Sequence, residues 1–141
     1  MWRLLRPDAL LVWENEEVRE RLSHYYAVMR GDRPAKYLVV KRVEVEYDPR
    51  ASLEELMEVH DEASKEFKEV YEGIVEGSVK LEDLKRPERS FLDLKIELAR
   101  RMVSPCALCE RRCGVERLKG ERGACGLDAT VRVASAFLHM G

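Results

Sequence analysis

The chain has 141 residues, 45% of them hydrophobic and 37% charged, with a formal net charge of -2. That is near the common size of one domain with a real core, and it reads as soluble and globular. No apolar run approaches the roughly 18 residues of a membrane span, and Ala9 to Trp13 is too short for a signal peptide.

A cytoplasmic location is therefore expected, where thiols stay reduced. Glutamine is absent and Asn15 is the single asparagine, while Glu, Lys and Arg abound. This bias resembles thermophile proteins, in which amides are labile and surface ion pairs more useful.

In chain order, Met1 to Trp13 reads as a short strand or helical turn against the core. Asn15 is an N-cap, and a helix is predicted from Glu16 to Arg30 with Val18, Leu22, Tyr25, Tyr26 and Met29 on one side. Gly31 ends it. His24 reads as a structural histidine beside two tyrosines.

Lys36 to Tyr47 places Tyr37, Val39, Val43, Val45 and Tyr47 on one parity, the period-two pattern of a half-exposed strand. Asp48 and Pro49 stop it. Ser52 and Glu55 form a capping box for the longest predicted helix. Its apolar face is Leu56, Val59, Ala63, Phe67, Val70 and Ile74, and Gly73 and Gly77 bracket its end. His60 on this helix reads as structural. Residues 44–76 carry twelve Asp and Glu against three Lys and Arg. Such a run is usually a solvated helix face, with docking of a basic segment as the sharper alternative.

Val79 to Arg89 reads as a connecting loop, broken by Pro87. Ser90 and Asp93 open a further helix to about Met102, through Phe91, Leu94 and Leu98. Ser104-Pro105 ends it. Ala129 to Phe137 is small and apolar, with strand-like alternation at Val131 and Val133.

All four cysteines lie in one segment: Cys106, Cys109, Cys113 and Cys125, spaced C-x2-C-x3-C-x11-C. Four thiols in so short a run are most simply one tetrahedral metal site, since a C-x2-C turn aims both sulfurs at one ion. Gly114 and Gly126, directly after the third and fourth cysteines, let the backbone turn tightly and aim amides at sulfur. Zinc is favoured over an iron–sulfur cluster, which also accepts four cysteines. Disulfides and free thiols remain the alternatives. With all four ligands supplied by protein, the site would be closed and structural. Arg100 to Gly126 carries seven Lys and Arg against three Glu, and cationic neighbours favour the thiolate form.

The run Cys106-Ala-Leu-Cys109-Glu-Arg-Arg-Cys113-Gly-Val-Glu-Arg117, then Gly120, Gly123 and Cys125-Gly126, resembles a segment of certain radical SAM proteins. These are relatives of the pyruvate formate-lyase activating enzyme, in which such a pattern stands just before the catalytic barrel. The tail AFLHMG is similar to the family's lead-in, so the likeness covers roughly Cys106 to Gly141. The resemblance implies a [4Fe-4S] cluster and S-adenosylmethionine only in a downstream domain. The C-x3-C-x2-C loop that holds them is absent here, because no cysteine follows Cys125. No catalytic residue is carried over, and this chain alone is expected to be inactive.

The expected fold is α+β and mainly helical, about three helices with a short β element. Residues 1–103 would form this domain, and 104–141 the four-cysteine metal-binding segment leading toward the absent barrel. The expected partner is the downstream radical SAM domain or another protein. The alternative is a stand-alone zinc module that binds protein or nucleic acid. Nucleic acid is disfavoured by the modest local charge and by the lack of any aromatic residue between Cys106 and Cys125.

Overall fold

A computed structural model of the chain describes residues 11–136. Most of the Met1 to Trp13 expectation, and the tail beyond residue 136 with His139, lie outside the described residues. The described chain is mainly helical, and its β content is one isolated antiparallel bridge. Residues 11–34 and 132–136 fall in one compact unit, and Ala35–Val131 in a second.

In the first unit a 3-10 turn, Val12–Glu14, leads into α1 (Glu16–Arg21) and α2 (Ser23–Arg30). Asn15 is the N-cap, accepting the Val18 amide at 3.2 Å. The sequence predicts one helix here, but Leu22 interrupts it with φ -107° and ψ 26°. The ladder still passes through that residue: Leu22 N–H donates to Val18 and Tyr26 N–H to Leu22, both at 2.9 Å. Trp13 stacks on Tyr25 with ring centroids 5.8 Å apart. Gly31 closes α2 in the left-handed conformation at φ 81°.

The second unit holds α3 (Lys36–Val40), α4 (Leu53–Glu76) and α5 (Phe91–Val103). The strand predicted over Lys36 to Tyr47 is corrected in its first half, which is helix α3. Val39 and Val40 are both buried. Adjacent residues can share the core-facing arc of a helix, whereas a strand would send them to opposite faces. The period-two reading survives from Val43 to Tyr47: Val43 and Val45 are buried while Glu44 and Glu46 are exposed. Among the described residues this stretch has no partner strand, only the Glu44–Ser90 bridge. Two backbone bonds hold it, Val45 N–H to Arg89 O at 3.1 Å and Phe91 N–H to Val43 O at 2.9 Å.

Helix α4 starts as expected. The Glu55 amide donates to Ser52 Oγ at 3.2 Å, and the Ser52 amide donates to Glu55 Oε2 at 2.7 Å. Gly77 ends it. Leu56 and Ala63 face the core, joined by the partly buried Val59 and Phe67. Helix α5 contributes Phe91, Leu94 and Leu98, and the core forms where α4 and α5 meet the Val40–Val45 stretch. Arg101 ties the two helices' ends together: it pairs with Glu97 at 2.8 Å and donates to the Ala51 and Pro49 carbonyls ahead of α4. The His60 ring lies 5.0 Å from that of Phe91, and its Nε2 lies 2.8 Å from Lys95 Nζ. Residues 129–136 carry no regular structure, and Val131 and Val133 are exposed, so the alternation there forms no strand.

No helix among the described residues is long and apolar enough to cross a membrane.

Candidate metal centre

The cysteine segment hangs from the end of α5. Beyond Val103 the chain extends at Ser104 (φ -151°, ψ 107°). The Ala107 amide returns to the Met102 carbonyl at 2.8 Å, and this fixes Cys106 against the helix terminus. Cys106 is 2% exposed. Two backbone bonds then close a knuckle over residues 106–115: Cys106 N–H to Val115 O and Gly114 N–H to Cys106 O, each 3.0 Å. The loop between them turns through Arg112 at φ 35° and Gly114 at φ 65°. A non-glycine residue with positive φ is uncommon and strained. It persists here because the Arg112 amide is held by the Cys109 carbonyl at 3.0 Å.

The chain then makes a 3-10 turn, Arg117–Lys119, whose first residue points back inside. Arg117 is only 7% exposed. Its Nε donates to Cys106 Sγ at 2.9 Å and its Nη2 to Cys125 Sγ at 3.2 Å. Its Nη1 donates to the Leu127 carbonyl and, at 3.4 Å, to that of Asp128. One guanidinium thus links the first and last cysteines.

Backbone amides supply the rest of the polar environment. The Ala124 and Val115 amides, a hydrogen bond with Cys106 and the Arg117 charge hold the Cys113 thiol below its ordinary value of 9.0. Arg117 first, and then the Leu127 amide, lower Cys125 in the same way. The two sulfurs in turn push Arg117 further above its ordinary range, Cys125 more than Cys106. Amide and guanidinium donors aimed at sulfur favour thiolates, the form that binds metal.

The structure gathers the predicted ligands unevenly. All four cysteines are free of disulfides. Cys109, Cys113 and Cys125 line one cavity of about 600 Å3, together with Glu110, Arg111, Arg117 and Ala124. Cys106 is buried and hydrogen-bonded to Cys113 and to Arg117. Cys109 sits on the exposed side. Among the described residues, no three His, Cys, Asp or Glu side chains stand close enough together to hold an ion as they are placed. The guanidinium occupies the space between two of the sulfurs. The donors around Cys106, Cys113 and Cys125 are of the kind that thiolate sulfurs accept, and Gly123 leaves room for Cys113 and Arg117. A Cβ there would lie 2.8 Å from Cys113 Sγ and 2.7 Å from Arg117 Nη2.

Arg117 is the residue of this segment that counting charges undervalues. Among seven basic residues of the segment it looks like one more surface cation, yet it is the buried one. Its place in the C-G-V-x-R run was the available signal. Among the described residues, the ion pairs of Arg101 and Arg122 run to Glu97 and Asp128 rather than to the acidic face of α4.

No family model and no solved structure matches the chain. It is similar to an uncharacterised protein of Methanocaldococcus jannaschii, 33% identical over 121 residues, which is 86% of this chain and 33% of that protein. The chain therefore spans about a third of the length of the curated relative it matches.

Proposed function

We propose that Cys106, Cys109, Cys113 and Cys125 bind one metal ion, and that the chain is the accessory amino-terminal portion of an enzyme resembling the pyruvate formate-lyase activating radical SAM proteins. Zinc is preferred to an iron–sulfur cluster. One observation carries the reading: three of the four sulfurs line one cavity and the fourth is hydrogen-bonded to one of them, with backbone amides and the buried Arg117 aimed at Cys106, Cys113 and Cys125. Such a set suits a closed thiolate site, in which Zn2+ supplies cross-linking and no open position for substrate.

The work of this chain's own residues is to hold and orient. Pro105 and the end of α5 present Cys106. The Val115 and Ala124 amides stabilise Cys113, and Arg117 neutralises the sulfurs it touches. A divalent ion with four thiolates carries two excess negative charges, and one buried guanidinium offsets half of that. With its four thiolates committed to the ion, the segment would act as a structural or docking element in a reducing compartment such as the cytoplasm. The motif likeness supports the radical SAM context. The relative's length, about three times the matched span, accords with such a segment belonging to a larger protein.

A second reading, a zinc module that binds another protein, is favoured by Leu108 and Leu118, which stand 55% and 66% exposed on the cysteine segment. Nucleic-acid binding gains no comparable support, because Arg117 is spent on sulfur and backbone.

Metal and sulfide analysis of the chain, purified anaerobically, tests the proposal. About one zinc per chain, lost in the Cys109→Ser/Cys125→Ser variant, is expected. Metal-free protein with four freely alkylated thiols after zinc or iron loading would overturn it. DNA around the coding region that lacks any C-x3-C-x2-C frame would leave the zinc module as the reading.

A further inference from the structure

We infer that Arg117 is a positioning residue that closes the cysteine segment before any metal arrives, its forked guanidinium standing in for the ion between Cys106 and Cys125. The inference rests on the metal-binding reading and adds a metal-independent closed state to it.

The geometry is that of a clasp. Cys106 precedes Arg117 by eleven residues and Cys125 follows it by eight, as the sequence separations of the two bonds record. Leu127 and Asp128 lie further on and accept from the third nitrogen. One buried side chain therefore joins the start, middle and end of the segment. A guanidinium presents its donors in a fixed planar fork, so it can span two acceptors that a lysine ammonium, a point charge on a flexible stem, cannot hold in register. Burying that charge is unfavourable unless it is paired, and here the sulfurs and carbonyls pair it. Gly123 completes the fit, since its missing side chain is where the guanidinium carbon would come within 3.3 Å.

Many small zinc sites fold only when metal binds, because nothing else brings their ligands together. Here the knuckle bonds between Cys106, Gly114 and Val115 and the Arg117 clasp already draw Cys106 and Cys125 toward one side chain. An ion at Cys106 and Cys125 would compete with Arg117 Nε and Nη2 for the two sulfurs, and the Leu127 and Asp128 carbonyls would still hold Nη1.

The test is amide hydrogen exchange on the full chain, fully reduced and metal-free under chelator, comparing wild type with Arg117→Met and Arg117→Lys. In the wild type the Cys106 and Gly114 amides are expected to be protected. Both variants should lose that protection by about tenfold or more, while the amides of α4 and α5 are unchanged. Their persistence shows that the variants are folded. Lysine failing to rescue distinguishes a fork from a mere charge. Wild type unprotected without metal, or protection that survives in Arg117→Met or Arg117→Lys, overturns the inference. Cobalt(II) titration of the same samples reads the four-thiolate charge-transfer absorption. Its absence in the wild type would overturn the metal site, while the exchange data would still decide the clasp.

Discussion

Gly123 lies so close to Cys113 that a methyl group in place of its hydrogen would stand 2.8 Å from the sulfur. The same group would meet Arg117 Nη2 at 2.7 Å. Contacts that short force something to move, and both neighbours are held, Cys113 by amides and Arg117 by its two sulfurs and two carbonyls.

Gly123→Ala should therefore weaken metal binding by about 10- to 100-fold, as expected for a lost supporting contact around a metal ligand. Competition against a zinc-binding chromophore measures this. An alanine variant with wild-type affinity would mean that the sulfur of Cys113 does not sit beside Gly123 in the loaded site.

The core where α4 meets α5 is separable from the cysteine segment. Leu94 is fully buried and Ile96, two residues on, is 43% exposed. Leu94→Ala should cost about 2–5 kcal/mol through lost burial and a residual cavity. Ile96→Ala should cost no more than about 0.5 kcal/mol. Urea denaturation followed by helix circular dichroism reads both, and equal costs would refute the packing of α5 described above.

The start of α5 should show in acid. Asp93 Oδ2 accepts from the Ser90 hydroxyl at 2.6 Å and from the Ser90 amide at 2.8 Å. These bonds, the hydroxyl's the larger, hold the carboxyl below its ordinary value of 3.8. A carboxyl depressed in the folded state stabilises it above that ordinary value, and the contribution fades as pH falls through the lower folded one. Asp93→Asn should thus be less stable than wild type near neutrality, by about 0.5–2 kcal/mol at most. The gap should close below about pH 4. Thermal melts of both chains across pH 2.5–7 would show it; parallel curves would contradict it.

How much of this was legible follows from which residues act locally. The caps at Asn15, Ser52 and Ser90 and the stops at Gly31 and Gly77 depend on neighbours three or four positions away, and each was readable. The alternation of Val43 and Val45 was readable too. Its extension back to Lys36 was not, because Tyr37 and Val39 fit a strand parity by chance while Val40 decides for a helix by packing on α4 and α5. The break at Leu22 has no cue in composition. For the candidate site, spacing singles out the four cysteines, but no period or propensity says that Arg117 turns inward among seven basic residues. That follows only from the 3-10 turn at Arg117–Lys119 and from the room left at Gly123.

The central claim is that four sulfurs of one chain surround one ion. Zinc K-edge X-ray absorption of the zinc-loaded chain tests it most directly. The account predicts a first shell of four sulfurs at about 2.3 Å and no light-atom ligand. A shell in which nitrogen or oxygen at about 2.0–2.1 Å replaces two or more of those sulfurs would contradict it.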